Sequence, residues 1–520
     1  MPAVTDVEGT GAGVFRRAVA DTIGQPRQGA PVFGFLRPGS AYDAGGRPSP
    51  AVERTPLRLV LPTQILRYVA RTGSDLANTC TDPALPCATI QHAVDVAHAG
   101  DLIRVAGGTY TRAGTVAAVT RTLAIEGGYS NDFSIHDPER YVTVLDAQRQ
   151  GSVISATNVS DLWLHHLTLT RGNGTGNCTN GCGGGVYVRD TQLRVGYCVI
   201  SDNVANASGS GWGQGGGIYA HNGDFVHIWH TRIISNSAAR PATTVSEGDG
   251  IYVGHGEVRI ETSEILRNTG ASAQGSGLSM HDLDRLELVS NTIRSNYTTR
   301  AGGGLFLGGA RDVLISGNVI EENRCDGLTG GGMWLVAVAG KVSRNIVRDN
   351  SDARGVDVYG SGPLIFTNNL ISGNWHGISI LGNSPSGSQA LLANNTVVDN
   401  GPVGVRAMYT TTLTITNTLV AGHGEGLELR EPFSGTASVA TSIFWNTSAD
   451  PIEAIREDPV LDAFYRPMTG SPALDAGTPL SWLAVDLQGC PRPQGGGYDI
   501  GAYEGTGPAV FLALILRSVP

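Results

Sequence analysis

Three histidines of the chain, His221, His255 and His281, recur once in each of three consecutive copies of an internal repeat, and each has a carboxylate close behind it. The segments read HNGD, GHGE and HDLD, which adds Asp224, Glu257, Asp282 and Asp284 to the set. Carboxylates held near one another can serve as acid and base in glycoside hydrolysis. A histidine beside an acidic sugar can instead remove a proton in β-elimination. The plainer reading is a solvated turn, which needs polar residues in any case. Asp249 is a further candidate, since it interrupts a glycine cluster with Glu247 nearby. A second set is aromatic: Tyr187, Tyr219, Tyr252, Phe306 and Trp334 fall at matching places in the repeat. On an outer surface such rings suit the C–H faces of sugars; under folded-over loops they would be a second core.

The repeat sets these positions. Gly302–Asn323, Gly275–Asn296 and Gly330–Asn350 each combine a glycine cluster, a short apolar-x-apolar strand (the glycine strand), a second strand, and an Asn-x-apolar segment closed by another Asn. The glycine strands start at Val186, Ile218, Ile251, Leu278, Leu305, Met333, Val356, Ile378, Val405 and Leu427. The residue two further on is apolar in every copy, so both point inward and the residue between them points outward. Three short strands per unit without a helical pattern predict the coils of a solenoid, stacked at about 4.8 Å. Asn203, Asn236, Asn268, Asn296, Asn323, Asn350, Asn374 and Asn400 form one column, and Asn291, Asn318, Asn345, Asn369, Asn395 and Asn417 another. Asparagine tolerates left-handed backbone at sharp corners, and stacked amides can bond from coil to coil. A buried charge at Leu305 is therefore expected to destabilise more than Asn323→Ala, whose neighbours can rebond.

With 72 Gly, 16% charged and 41% hydrophobic residues, the chain is turn-rich and sheet-like rather than disordered. The net charge of −10 comes without any basic run, which points away from nucleic acid as a partner. Of seven cysteines, Cys80 with Cys87 and Cys178 with Cys182 bracket short loops and suggest disulfides formed in an oxidising compartment. A four-thiolate metal site is the rival, but no histidine spacing supports zinc, and no cofactor or metal is expected. The first 28 residues show no apolar run of signal-peptide length, at odds with export, and no segment is long enough to span a membrane.

Residues 1–66 read as a Pro- and Gly-rich extension, and residues 67–130 as a helical cap with the first coils. In Cys87–Thr111, Ile90, Ala93, Val94 and Ala97 share one helical face suited to cover the open apolar end of a solenoid. This helix, TIQHAVDVAHAGDLIRVAGGTY, followed by Gly-rich and Asn-rich coils, resembles the pectin-lyase-like superfamily. The resemblance implies an all-β, single-stranded right-handed parallel β-helix over 131–470, with substrate along the outer face of the glycine strands. It is not specific for chemistry, since the superfamily holds lyases, hydrolases, esterases, epimerases, tailspikes and adhesins. Residues 471–508, with DIGAYE, resemble the closing segment of cell-surface β-helix proteins, and 509–520 is a short apolar tail. The Gly-His-Gly triplets at 254–256 and 422–424 lack the partner motifs of polygalacturonases, and the arginine pattern of pectate lyases is missing. The expectation is an extracellular or cell-surface protein that interacts with a polysaccharide. A lyase or hydrolase working on the aromatic face, and a structural stalk or adhesin, stand as alternatives.

Overall fold

The computed structural model describes residues 64–505, apart from 180, 209–210, 240–245, 271–272, 328, 351, 383–386, 449–450 and 452. Most of the extension 1–66 and the whole tail 509–520 lie outside the described residues. The chain winds as a right-handed parallel β-helix. Glycine strands such as Val186–Arg189, Ile218–His221 and Leu305–Gly308 pair parallel with their counterparts one coil away, and second strands such as Gln192–Gly196 and Phe225–Trp229 do the same. The third strands form a separate 13-stranded parallel sheet. In two coils the glycine and second strands run on as one, Ile251–Glu261 and Leu278–Val289.

Period-two alternation explains the core. The inward residues Val186, Val188, Ile251, Val253, Leu305, Leu307, Val356 and Val358 join one apolar cluster along the helix. The pattern fails only at the last copy, where Leu427 is buried but Leu429 is 45% exposed. At the other end the helix Ile90–Val96 buries Ile90, Ala93 and Val94 in the same cluster. Thr89 caps it by accepting the His92 N–H, and Asp75 fixes Thr89 by accepting from its N–H and hydroxyl. Among the described residues no helix is long and apolar enough to cross a membrane.

The asparagine columns are buried ladders. Asn323 Nδ2 donates to Asn350 Oδ1 at 3.0 Å and to Ile293 O at 2.9 Å, and the Asn323 N–H donates to the same Asn350 oxygen at 3.0 Å. The left-handed backbone belongs to the residue before each ladder asparagine: Glu322, Asp349, Ser295 and Asp399 have φ of 55°, 54°, 54° and 50°. The second ladder runs through Asn291, Asn318, Asn345, Asn369 and Asn395 and then passes to Thr418, not Asn417. Asn417 is instead a left-handed corner residue with φ 47°. His423, of the second Gly-His-Gly triplet, ends the first ladder, with its ring nitrogens 3.0 Å from Asn400 O and Val397 O.

Both expected disulfides are present, with S–S distances of 1.98 Å for Cys80–Cys87 and 2.02 Å for Cys178–Cys182. Cys198 and Cys325 are free and buried, and Cys490 is free and half-buried. The C-terminal segment runs as a strap along successive coils. Asn368, Asn394 and Asn417 donate their amides to its carbonyls at Val485, Asp499 and Thr478. Ala473, Leu487, Ile500, Ala502 and Tyr503 pack on the outer side of the third strands through Leu370, Val398, Leu419 and Ile443.

Candidate functional site on the glycine-strand face

The outward residues of the glycine strands form one column. Parallel pairing aligns Tyr187 with Tyr219, Tyr252, Ser279, Phe306, Trp334, Asp357, Ser379, Arg406 and Glu428 in turn. It divides into an aromatic part and a polar part.

In the aromatic part the rings of Tyr187, Tyr219 and Tyr252 stack with centroids 5.4 and 5.2 Å apart. His281 fills the gap at Ser279. Its ring lies 5.4 Å from Tyr252 and 5.0 Å from Phe306, and its Nε2 is 3.0 Å from Ser279 Oγ. Phe306 then meets Trp334 at 4.9 Å. The expected open strip is covered: Tyr187, Tyr219, Tyr252 and Phe306 are only 7–8% exposed, and Trp334 is half-buried. Stacking hides the ring faces, and the long early loops hide the edges. The Cys178–Cys182 bridge clusters with the tyrosines, and Gln214 bonds to Tyr252 and donates to Glu247 at 2.8 Å. Those loops build a small parallel sheet of Gly213–Gln214, Ser246–Glu247 and Ala273–Gln274. This stretch is a second core, and its rings do not offer a docking surface for sugar.

The polar turn does not converge either. Asp224, His255, Glu257, Asp282 and Asp284 are exposed, and no ion pair joins Asp224, Glu257 or Asp284 to another described residue. His221 is half-buried, packs edge-on to His255 at 5.3 Å, and has its pKa lowered by burial and by the neighbouring His255 and Arg189. Burial also lowers the pKa of His281, against the opposing pull of Glu247 and Asp282. Asp249 is fully buried, so it is not an accessible catalytic group. Its Oδ1 accepts the Ala238 N–H at 2.7 Å, and its Oδ2 lies 2.8 Å from Ser276 Oγ. A Cβ on Gly270 would sit 2.0 Å from that Oδ1, which explains the glycine there.

The polar part gathers groups that the sequence reading passes over. Arg354 and His376 are in register with each other, two residues ahead of inward Val356 and Ile378. Arg354 Nη1 donates to Asp357 Oδ2 at 2.6 Å, and Arg406 pairs with Glu428. Arg354 Nε, Asp357 Oδ1, His376 Nδ1 and Ser379 Oγ are all buried without a hydrogen-bond partner, four such atoms on two adjacent coils. Buried polar atoms are normally paired, so this concentration asks for an explanation. Burial raises the Asp357 pKa against the pull of Arg354 and Arg406. The pKa of His376 falls to about 4 through burial and the fields of Arg406, Arg354 and Arg430. Trp375, 40% exposed, stands edge-on against His376 at 4.3 Å, and Trp334 precedes Asp357 in the column. The signal available in the sequence is the change of the outward residue from aromatic to charged after Trp334, where the loops between coils also shorten.

The model of the family described as right-handed β-helix region matches residues 242–387. Together with the parallel coils, this defines the fold as a right-handed parallel β-helix. No curated protein matches the chain. Among solved structures, the periplasmic alginate epimerase AlgG is similar at 13% identity and a TM-score of 0.38, over 66% of this chain and 77% of that one. Pectate lyase Pel9A is similar at 13% identity and a TM-score of 0.34, over 85% and 97%. The A-module of a mannuronan C-5 epimerase from Azotobacter vinelandii gives 15% identity and a TM-score of 0.30, over 70% and 94%.

Proposed function

We propose that the protein is exported and binds a polysaccharide along the polar part of the glycine-strand column, from Trp334 to Glu428. The observation that carries the reading is the cluster of Arg354, Asp357, His376, Ser379 and Arg406 with four unpartnered buried polar atoms, flanked by Trp334 and Trp375. Two tryptophans supply apolar surface for sugar rings. Asp357, His376, Ser379 and Arg406 are buried, so the rim of the cluster, half-buried Arg354 and exposed Arg430, is what suits an acidic glycan, with Asp357 behind it disfavoured in its charged form. Two disulfides support an oxidising compartment. The second reading is a lyase, supported by the same convergence: arginines to neutralise a uronate carboxylate, and a carboxyl whose pKa burial raises beside an imidazole whose pKa burial lowers.

Affinity electrophoresis of the full chain against acidic and neutral polysaccharides tests this. Retardation by an acidic polymer is expected, and Trp375→Ala should weaken it about fivefold, since one stacked ring contributes about 1 kcal/mol. Equal mobility on every polymer would sink the proposal. Appearance of unsaturated product absorbance with the retained polymer would select the lyase reading.

A further inference from the structure

A separate constellation lies on the outer face of the second strands, near the first coils. Glu126 is in register with His165 one coil on. His166 follows directly, and in an extended strand it would point to the opposite face. It has φ 52° instead, and this left-handed corner brings its ring to the same side, with the two imidazole centroids 5.3 Å apart. Glu126, His165 and His166 thus each bring one ligating atom within 4.8 Å of the others. His165 Nε2 is buried and has no hydrogen-bond partner.

The surroundings hold these groups in place. Tyr129 donates its hydroxyl to Glu126 Oε2, and Tyr129 itself packs on His136 at 4.4 Å. Arg104, in register with Glu126, lies over the Tyr129 ring and forms no ion pair with that carboxylate among the described residues. Tyr197 stacks on His166 at 5.0 Å. Gly196 has no side chain where His165 and Trp229 lean in, and a Cβ there would meet His165 Nε2 at 2.6 Å.

We propose that Glu126, His165 and His166 form a binding site for a divalent transition metal of the zinc class, through two imidazole nitrogens and one carboxylate oxygen. Two histidines and a carboxylate make a three-ligand set that leaves a coordination position open for water or a ligand. Neutral imidazole is the ligating form, and the buried His165 Nε2 has no hydrogen-bond partner that a metal would have to displace. The Tyr129 hydroxyl is the outer partner that orients the carboxylate, as ligating carboxylates usually require. The site lies apart from the proposed glycan face and does not depend on it.

Titration calorimetry of the tag-free, chelator-treated full chain with zinc chloride tests the assignment. One zinc per chain is expected, with a higher melting temperature in its presence. Glu126→Gln, which keeps the size of the side chain, and His166→Ala should each weaken binding more than tenfold. Tyr129→Phe, which removes no ligand, should weaken it about tenfold. Absence of binding to the parent chain would overturn the proposal, as would unchanged affinity in a folded Glu126→Gln chain. If His166→Ala fails to fold, the Glu126→Gln and Tyr129→Phe results decide alone.

Discussion

Asp249 shows how one side chain can look functional in sequence and be structural in fact. Ser276 Oγ lies 2.8 Å from both Asp249 Oδ2 and Asn268 O, and a hydroxyl has one proton to give. A protonated Asp249 resolves this by donating to Ser276, which then donates to Asn268. Burial pushes the Asp249 pKa from 3.8 to about 7. A raised folded-state pKa contributes stability that is fully present below the unfolded value and lost as pH rises through the folded one. Asp249 should therefore cost stability progressively from about pH 4 to pH 7, up to about 4 kcal/mol. Asp249→Asn is expected to flatten the pH dependence of the melting temperature over that window while leaving the fold intact. Identical pH profiles for the two chains would show that Asp249 is ionised in the folded state. The broken glycine rule was a true signal that Asp249 is special, but sequence cannot distinguish a buried strut from an open acid. The aromatic column carries the same lesson. Its register was legible at every position, whereas its cover comes from loops whose path no periodicity encodes. His165 and His166 were invisible for a different reason, because only the left-handed turn at His166 puts neighbouring residues on one side.

At the scale of the elements, the ladders hold the corners more firmly than stacked amides would suggest. Each ladder asparagine is committed in full: Asn323 Oδ1 accepts from both the N–H and the Nδ2 of Asn296, while its own Nδ2 serves Asn350 and Ile293. Asn323→Ala would leave the buried Asn296 N–H without its acceptor and take a second donor from Ile293 O, and no neighbouring amide is free to replace it. The loss is expected at about 3 kcal/mol, comparable with Leu305→Ala in the core at about 2–5 kcal/mol. Urea unfolding of the two variants measures this, and an Asn323→Ala midpoint equal to that of the parent would show that the corner re-forms its bonds. The columns were readable because asparagine recurs at each coil. The register of Asn417 was not, since the slot passes to Thr418 with a hydroxyl in place of the amide. The left-handed residue of each corner varies among Ser, Asp, Glu, Arg, Asn and Gly, so it left no repeating signal.

For the whole molecule, the C-terminal strap is a separate layer laid on the outer side of the third strands and bound to successive corners of the solenoid. A charged pair ties it down: Arg492 Nη1 donates to Glu504, and both side chains are fully buried. Arg492 Nη2 also donates to Asn368 Oδ1 at 2.9 Å and to Gly501 O at 2.8 Å, so one guanidinium joins the strap to itself and to a corner of the helix. Asp499 and Glu504 of the DIGAYE segment are accordingly buried supports of the strap. Arg492→Ala would leave Glu504 in the interior without its cation, a loss on the order of 3 kcal/mol. The coils do not depend on the strap for their own pairing, so the loss should appear locally. Thermolysin is expected to cut between residues 478 and 497 sooner in Arg492→Ala, while far-ultraviolet dichroism and the main melting transition stay close to the parent. Adding Glu504→Gln should recover part of the protection, because the unpaired charge is then gone. Equal cleavage rates in parent and Arg492→Ala chains would mean that the three corner amides and the apolar contacts under Tyr503 and Ile500 hold the strap without the ion pair.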